Sequence, residues 1–122
     1  LVDFISIDVA FISLDKVLPV ATTLLKDTGS LVALIKPQFE AGKENVGKGG
    51  IVRDSNIHKE VLHRILQVAY DCGLYIHGLT FSPIKGMEGN IEFLGYFKKY
   101  EEGALTINDE LIDAVVTEAH SL

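Results

Sequence analysis

The order of apolar runs and helical patterns along the chain predicts an alternation of strands and helices. Residues 1–12 are almost continuously apolar and rich in β-branched and aromatic side chains, which is typical of a strand buried on both faces. Residues 30–39 predict a second buried strand, closed by Pro37. Residues 74–82 and 90–100 predict two further strands, and the short loop between them, "PIKGMEG", indicates that this last pair is antiparallel.

Three helical segments lie between and after these strands. Ser13 is placed to cap a helix whose apolar residues recur every three or four positions, and Gly29 is placed to end it. A second amphipathic helix is predicted from about residue 54 to residue 72, and a third begins at Asn108. The resulting order, β-α-β-loop-α-β-β-α, predicts an α/β fold in which crossovers join parallel strands.

The composition is that of an ordinary globular domain and narrows the possible partners. Hydrophobic residues make up 48% and charged residues 23% of the 122 residues, and the net charge of −6 argues against a general nucleic-acid binder but leaves room for a local basic patch. A single cysteine, Cys72, excludes an internal disulfide and suits a reducing compartment, so we expect a cytoplasmic protein. No apolar run approaches the roughly 18 residues of a membrane span. The four histidines lack the spacing of a metal site, so we expect neither a membrane nor a metal partner.

The stretch "AGKENVGKGG", residues 41–50, looks at first like a phosphate-binding P-loop. A P-loop has its first glycine directly after a strand, a serine or threonine after the lysine, and a helix that starts there. Here Gly42 lies several residues past the strand, Gly49 follows Lys48, and the helix is delayed. The sequence therefore favours a long polar loop over residues 38–54, and loops longer than about 12–15 residues are often functional.

Charged side chains are predicted to meet at one edge of the sheet. Asp8 and Lys36 each lie at the carboxyl end of a buried parallel strand, and Glu92 lies near the start of the antiparallel strand. A charge at such a position is unfavourable unless it forms an ion pair or takes part in binding or catalysis. Ligands of open α/β sheets bind outside the carboxyl ends of the strands. Topology alone leaves two interpretations open, a structural ion-pair network and a functional site.

At these residues the sequence resembles the FtsJ-like ribosomal RNA 2′-O-methyltransferases, in the TlyA-like branch often labelled hemolysin. The matching stretches are "SIDVAFISL", "LVALIKPQFEAGKENVGKGGIVRD" and "SPIKGMEGNIEFL", which span most of the chain. The resemblance implies an α/β fold, the C-terminal portion of a Rossmann-like S-adenosylmethionine-dependent methyltransferase sheet, mostly parallel with an antiparallel final strand.

The same resemblance implies a domain organisation. Residues 1–122 would be the C-terminal part of an FtsJ-like methyltransferase domain, without its N-terminal strands, its glycine-rich cofactor loop and the small N-terminal RNA-binding domain. The chain starts at Leu1 inside an apolar run, which also suggests part of a larger domain because domain boundaries usually fall in polar linkers. We therefore expect activity from the full-length protein rather than from these residues alone.

The family places a Lys-Asp-Lys-Glu tetrad around the ribose hydroxyl. The aspartate falls on Asp8, the second lysine on Lys36 and the glutamate on Glu92, while the first lysine would precede Leu1. The resemblance thus implies 2′-O-methylation of ribose in ribosomal RNA. A lysine removes a proton only in its neutral form, which burial or a neighbouring positive charge favours. Asp8 would orient a lysine and the methyl donor, and Glu92 would hold Lys36 or the ribose.

The resemblance also implies binding residues for cofactor and RNA. S-adenosylmethionine would contact Asp8, Val9 and Phe11, and the partner would be ribosomal RNA or a ribosomal subunit. Phe39, in the long loop, is a candidate for stacking on a base, although core packing is the ordinary role of an aromatic residue. Basic side chains would contact RNA phosphates, which position RNA without specifying sequence. These are Lys43, Lys48, Arg53 and Lys85.

Three other functions compete with this one. A base amino-methyltransferase on the same fold commonly carries Asn/Asp-Pro-Pro-aromatic where this chain has "DVAF", and does not need a lysine at Lys36. A membrane-active hemolysin would need a cationic amphipathic segment or a membrane span, which this acidic sequence lacks. The third alternative is a non-enzymatic assembly fragment, which cofactor binding by the purified chain would distinguish.

The first strand is a candidate contact surface. In the resembled family it lies inside the sheet with a neighbour on each side. Residues 2–9 contain no lysine or proline that would protect an exposed edge, and we expect no bulge there. Burial of its apolar side chains is favourable by about 25 cal/mol per Å². We expect the 122-residue chain alone to self-associate through this strand, or to pair with an upstream segment.

Overall fold

A computed structural model of the protein describes residues 1–85 and 89–121. Within these residues the strands are β1 (Val2–Ile7), β2 (Leu25–Ile35), β3 (Tyr75–Phe81) and β4 (Phe93–Lys98). The α-helices are α1 (Leu14–Leu24), α2 (Pro37–Glu40), α3 (Ser55–Asp71) and α4 (Asp109–His120). Two 3₁₀ turns, Lys43–Asn45 and Lys48–Gly50, lie between α2 and α3. The loop predicted between β3 and β4 includes residues 86–88, which lie outside the described residues.

The described strands form one mixed sheet in the order β1-β2-β4-β3. β1 and β2 are parallel, whereas β4 is antiparallel to both β2 and β3. β4, the last strand in sequence, therefore lies between β2 and β3, and both of these run in the direction opposite to β4. The predicted α/β fold, the element order and the antiparallel final strand are confirmed.

Local capping signals set the starts of two helices as predicted. The Ser13 side chain accepts a hydrogen bond from the backbone N–H of Asp15 at the start of α1. The Asn108 side chain accepts one from the backbone N–H of Leu111 at the start of α4. Each cap satisfies a backbone donor that the first turn of a helix leaves without an intrahelical partner.

The prediction that Gly29 ends the first helix was wrong. α1 ends at Leu24 and passes directly into β2, so Gly29 lies inside that strand. A Cβ atom at position 29 would lie 2.9 Å from the backbone oxygen of Asp3 in β1 and 2.5 Å from Leu25 Cδ1. The glycine is therefore used for the close approach of two strands, which only the tertiary structure reveals.

β1 is shorter and more exposed than the apolar run suggested. It ends at Ile7 rather than at residue 12, and residues 2–4 are exposed because β2 is its only neighbour among the described strands. The pairing register with β2 also shifts between Val2 and Phe4, an irregularity that the sequence did not predict. Residues 8–13 then cross the carboxyl edge of the sheet on the way to α1.

The apolar core lies between the sheet and three helices. α3 packs against both α1 and α4, and each of the three helices also contacts the sheet. Buried Leu31 and Ile35 of β2 pair with buried Phe97 and Phe93 of β4, so one face of the central strands is apolar and covered. None of the described helices is both long and apolar enough to cross a membrane.

Candidate active site

Asp8 and Lys36 meet at the carboxyl edge of the two parallel strands. Asp8 follows β1, and Lys36 lies between the end of β2 and Pro37, the first residue of α2. Lys36 Nζ lies 2.5 Å from Asp8 Oδ1, and the lysine side chain is 16% exposed whereas the aspartate side chain is 65% exposed. A nearly buried amine is thus held by a carboxylate that is open to solvent, which makes its position well defined.

Glu92 lies at the same edge, on the other side of Lys36. Ile35 pairs with Phe93 at the end of the antiparallel β2–β4 ladder, so Lys36 and Glu92, the next residues beyond that pair, lie at the same end of it. Glu92 is only 5% exposed, and its Oε2 accepts a hydrogen bond from Gln38 Nε2 at 2.9 Å. The structure therefore brings the three predicted charged residues to one edge, with Asp8 bound to Lys36 and Glu92 bound to Gln38.

The segment after Asp8 presents an aromatic ring beside this edge. Phe11 is 84% exposed and has a backbone φ of 63°, the left-handed region that residues other than glycine rarely adopt. Its ring centroid lies 4.8 Å from that of Phe39, while Val9 packs against the core. An exposed carboxylate at Asp8 and an exposed ring at Phe11 fit a ligand that carries both a cationic group and a flat heterocycle, as S-adenosylmethionine does.

The long loop is anchored by two buried polar residues. Asn90 donates from Nδ2 to the Gly50 carbonyl at 2.9 Å, and its Oδ1 accepts from the Val52 N–H at 3.0 Å. His58 Nε2 lies 2.9 Å from the Val52 carbonyl. Buried hydrogen bonds of this kind hold the backbone of the loop in place. The basic residues predicted to contact RNA are exposed on or beside this anchored segment, at Lys43, Lys48, Arg53 and Lys85.

The surroundings of His58 disfavour protonation of its ring. The Val52 carbonyl can only accept, so His58 Nε2 carries a hydrogen. In the neutral ring, Nδ1 then accepts a hydrogen bond from Nε2–H of His120, 2.8 Å away. Burial lowers the pKa of His58 below its ordinary value of 6.5, and His120 lowers it further. The Val52 carbonyl and the Asp54 carboxylate raise the pKa and oppose this effect.

We expect the free energy of unfolding to fall as the pH drops below about 6.5. The unfolded chain binds a proton at His58 more readily than the folded protein, so stability is complete above the unfolded pKa and is lost as the pH falls through the folded pKa. The slope approaches about 1.4 kcal/mol per pH unit for one proton. Urea unfolding at a series of pH values measures it. His58→Gln should remove this slope and His77→Gln, at the opposite edge of the sheet, should retain it; equal slopes in all three proteins would contradict the prediction.

Glu40 of α2 forms hydrogen bonds to α1 and α3 beside the site. The sequence did not predict this role. Its carboxylate, 2% exposed, accepts from Ser13 Oγ at 2.5 Å and from the Leu14 N–H at 2.8 Å. Arg64 of α3 donates to the same carboxylate at 2.9 Å and to the Glu40 carbonyl at 2.7 Å. A negative charge at the start of α1 is also favoured by the helix dipole. Glu40 therefore fastens the segment after Lys36 to α1 and α3.

The family model described as FtsJ-like methyltransferase matches residues 1–99 of the chain. The chain is 49% identical over 120 residues to YqxC of Bacillus subtilis (strain 168), whose name assigns it provisionally to the rRNA methyltransferases; the match covers 97% of this chain and 43% of that protein. It is 35% identical over 114 residues to the 16S/23S rRNA (cytidine-2′-O)-methyltransferase TlyA of Mycobacterium tuberculosis (strain ATCC 25618 / H37Rv), covering 93% of this chain and 42% of TlyA.

A solved structure from Streptococcus thermophilus, whose title provisionally names a hemolysin, has the same fold. It superposes with a TM-score of 0.89 at 48% identity, over 98% of this chain and 42% of that chain. The chain thus spans about two fifths of the length of the relatives that it matches. The family match over most of the chain, together with this agreement in fold, shows that the protein belongs to the FtsJ-like methyltransferase family.

Proposed function

We propose that the full-length protein transfers a methyl group from S-adenosylmethionine to a ribose 2′-hydroxyl of ribosomal RNA, and that this chain is the C-terminal part of its methyltransferase domain. The observation that carries the proposal is the contact of Lys36 Nζ with Asp8 Oδ1, at the edge where Glu92 lies buried. Membership of the family supports the reaction class. The name of the TlyA relative supports a cytidine as the target nucleotide. Such a substrate is met in the cytoplasm, the location that we propose.

In this proposal Lys36 is the general base. Its amine accepts the proton of the ribose 2′-hydroxyl, which makes the oxygen a stronger nucleophile. Asp8 holds Nζ in place through the 2.5 Å contact. Glu92, fixed by Gln38, accepts a hydrogen bond from the ribose and sets its orientation.

The cofactor would be held at the segment that follows β1. Asp8, Val9 and Phe11 are the residues of this chain that would contact it, the first through charge and the last through its exposed ring. S-adenosylmethionine, when bound, supplies a methyl group activated by a sulfonium charge. The same positive charge would favour the neutral form of a neighbouring lysine, as base catalysis requires.

A methylation assay with an alkaline digest tests this function. The full-length protein is incubated with ribosomal subunits or protein-free ribosomal RNA and S-adenosylmethionine labelled in the methyl group. A 2′-O-methyl group prevents alkaline cleavage of the adjacent phosphodiester, so label in alkali-resistant dinucleotides is the expected result. Label confined to mononucleotides would indicate a base amino-methyltransferase. If the protein binds S-adenosylmethionine but the RNA remains unlabelled, the proposal is overturned.

We expect the basic loop to contribute to RNA binding through phosphates. Replacing Lys43, Lys48 and Arg53 together with glutamine should weaken binding to all RNA sequences and reduce the slope of log affinity against log salt by about 2, since each lost phosphate contact to single-stranded RNA removes roughly 0.7. Filter binding at several salt concentrations measures the slope. The control variant removes the same charge at the opposite edge of the sheet, at Lys26, Lys98 and Lys99. An unchanged slope in the loop variant would contradict the prediction.

The exposed edge of β1 is a proposed self-association surface of the 122-residue chain. Phe4 is 56% exposed, and an apolar cavity of about 530 Å³ runs between β1 and α1, beside Val20 and Leu24. We expect Phe4→Lys to shift the chain toward monomer, because a lysine disfavours edge pairing. Light scattering after gel filtration measures the mass, with Ile84→Lys, a change at another exposed apolar residue, as the control. A monomeric unmodified chain would contradict this proposal.

A further inference from the structure

A cavity of about 330 Å³ lies beside the candidate active site, between the segment after β1 and the long loop. Its lining combines two aromatic rings, two amide side chains and the backbone of two glycines. These residues are Phe11, Phe39, Gln38, Asn90, Gly49 and Gly50, and Val46 is the remaining lining residue. The space beside Gly49 is open, because a Cβ atom at that position would meet no other atom within 4 Å. The combination of aromatic rings and amide groups in this lining suits a flat ring with a polar edge.

Gln38, which lines this cavity, carries a buried hydrogen-bond acceptor that is unpaired among the described residues. Its Nε2 donates to Glu92 Oε2 at 2.9 Å. With Nε2 donating to Glu92, the amide oxygen Oε1 is directed away from that carboxylate. Gln38 Oε1 is buried and has no hydrogen-bond partner among the described residues. A buried acceptor without a partner is unfavourable, which indicates that a ligand supplies the donor.

We infer that Gln38 is a specificity-determining residue, and that its Oε1 accepts a hydrogen bond from the exocyclic amino group of the target base. This inference rests on the proposed function. The target base enters the cavity and stacks on Phe39, whose ring lies at its wall. Cytosine carries an amino donor where uracil carries a carbonyl acceptor. A uridine at the same position would set two acceptors against each other, so the enzyme methylates cytidine in preference to uridine.

The position of Gln38 ties base recognition to the reacting edge. Gln38 lies two residues after Lys36, and its amide is bonded to Glu92, which we propose contacts the ribose. A base donor that binds Oε1 therefore places the attached ribose beside Lys36 and Glu92. A site built to hydrogen-bond a substrate group discriminates strongly against an analogue that lacks the group, because the protein acceptor is then left unpaired.

The test combines a protein change with a substrate change. The full-length protein is assayed on two RNAs that differ only at the methylated nucleotide, one with cytidine and one with a pyrimidinone nucleoside that lacks the exocyclic amino group. The unmodified protein should favour cytidine by about 10- to 100-fold in kcat/KM. Gln38→Leu should bring this ratio close to one, mainly by slowing the reaction on cytidine. Gln67→Leu, the matched change at the other glutamine of the chain, should leave the ratio intact.

The possible results separate this inference from the proposed function. Equal rates of the unmodified protein on both RNAs would overturn the inference while ribose methylation stands, and so would an undiminished ratio in Gln38→Leu. For a variant too slow to assay, the ratio of binding affinities for the two RNAs provides the same comparison. If the unmodified protein methylates neither RNA, that result counts against the proposed function. If it also binds the two RNAs with equal affinity, the inference is overturned as well.

Discussion

Replacing Lys36 with alanine in the full-length protein is expected to lower the rate of RNA methylation by about 100- to 10,000-fold, the contribution of a general base. The amine lies at the edge shared by Asp8 and Glu92, and in its neutral form it is the strongest base of the three. Because the proposed cofactor contacts lie after β1 rather than at Lys36, the affinity for S-adenosylmethionine should change little. Single-turnover methylation and calorimetric cofactor binding measure the two effects.

Two further variants sharpen this prediction. Lys36→Arg should be as inactive as Lys36→Ala, because a guanidinium keeps its proton in proteins. Lys59→Ala removes a partly exposed lysine of α3 that pairs with Asp113 of α4 at 3.4 Å, and this variant should remain active. Substantial activity in either Lys36 variant would assign the base to another residue. A loss of cofactor binding in Lys36→Ala would instead indicate a structural role.

Replacing Glu40 with alanine should lower the free energy of unfolding by about 2–4 kcal/mol. The variant removes hydrogen bonds to a charged acceptor from Ser13 Oγ, the Leu14 N–H and Arg64, and each such bond contributes about 1.5–3 kcal/mol before the site relaxes. Arg64 is partly exposed and regains water, which keeps the effect below the sum of the three. Urea unfolding of the full-length protein measures the change.

Glu60→Ala, at an exposed glutamate of α3, is the control and should change the stability by less than about 0.5 kcal/mol. The pair with Arg64 is tested by a double-mutant cycle, in which Glu40→Ala and Arg64→Ala should not be additive, since both remove the same contact. A small effect of Glu40→Ala, or full additivity with Arg64→Ala, would show that the carboxylate does not fasten these elements together.

Most of the secondary structure could be predicted because its signals are local. Ser13 and Asn108 each bond to a backbone N–H two or three residues further along, so the sequence itself contains both partners of the cap. The helix predicted at residues 54–72 runs from Ser55 to Asp71, because its apolar period and its capping residue lie within a few turns of one another.

The edge that gathers Asp8, Lys36 and Glu92 also followed from the sequence, because topology assigns strand ends to sheet edges. What topology does not contain is the choice of partners at that edge. Gln38 and Glu40 stand out in "KPQFE" only as two polar residues that flank an aromatic one, a signal too weak to name their roles.

The tertiary structure decided those roles, since each depends on residues far apart in the chain. Gln38 meets Glu92 at a separation of 54 residues, and Glu40 meets Ser13 at 27. Gly29 likewise does not end a helix. Its lack of a Cβ atom instead allows β1 to approach β2 closely. Propensity and periodicity describe a residue and its near neighbours, whereas a buried hydrogen bond or a close backbone contact depends on which distant groups the packed core brings together.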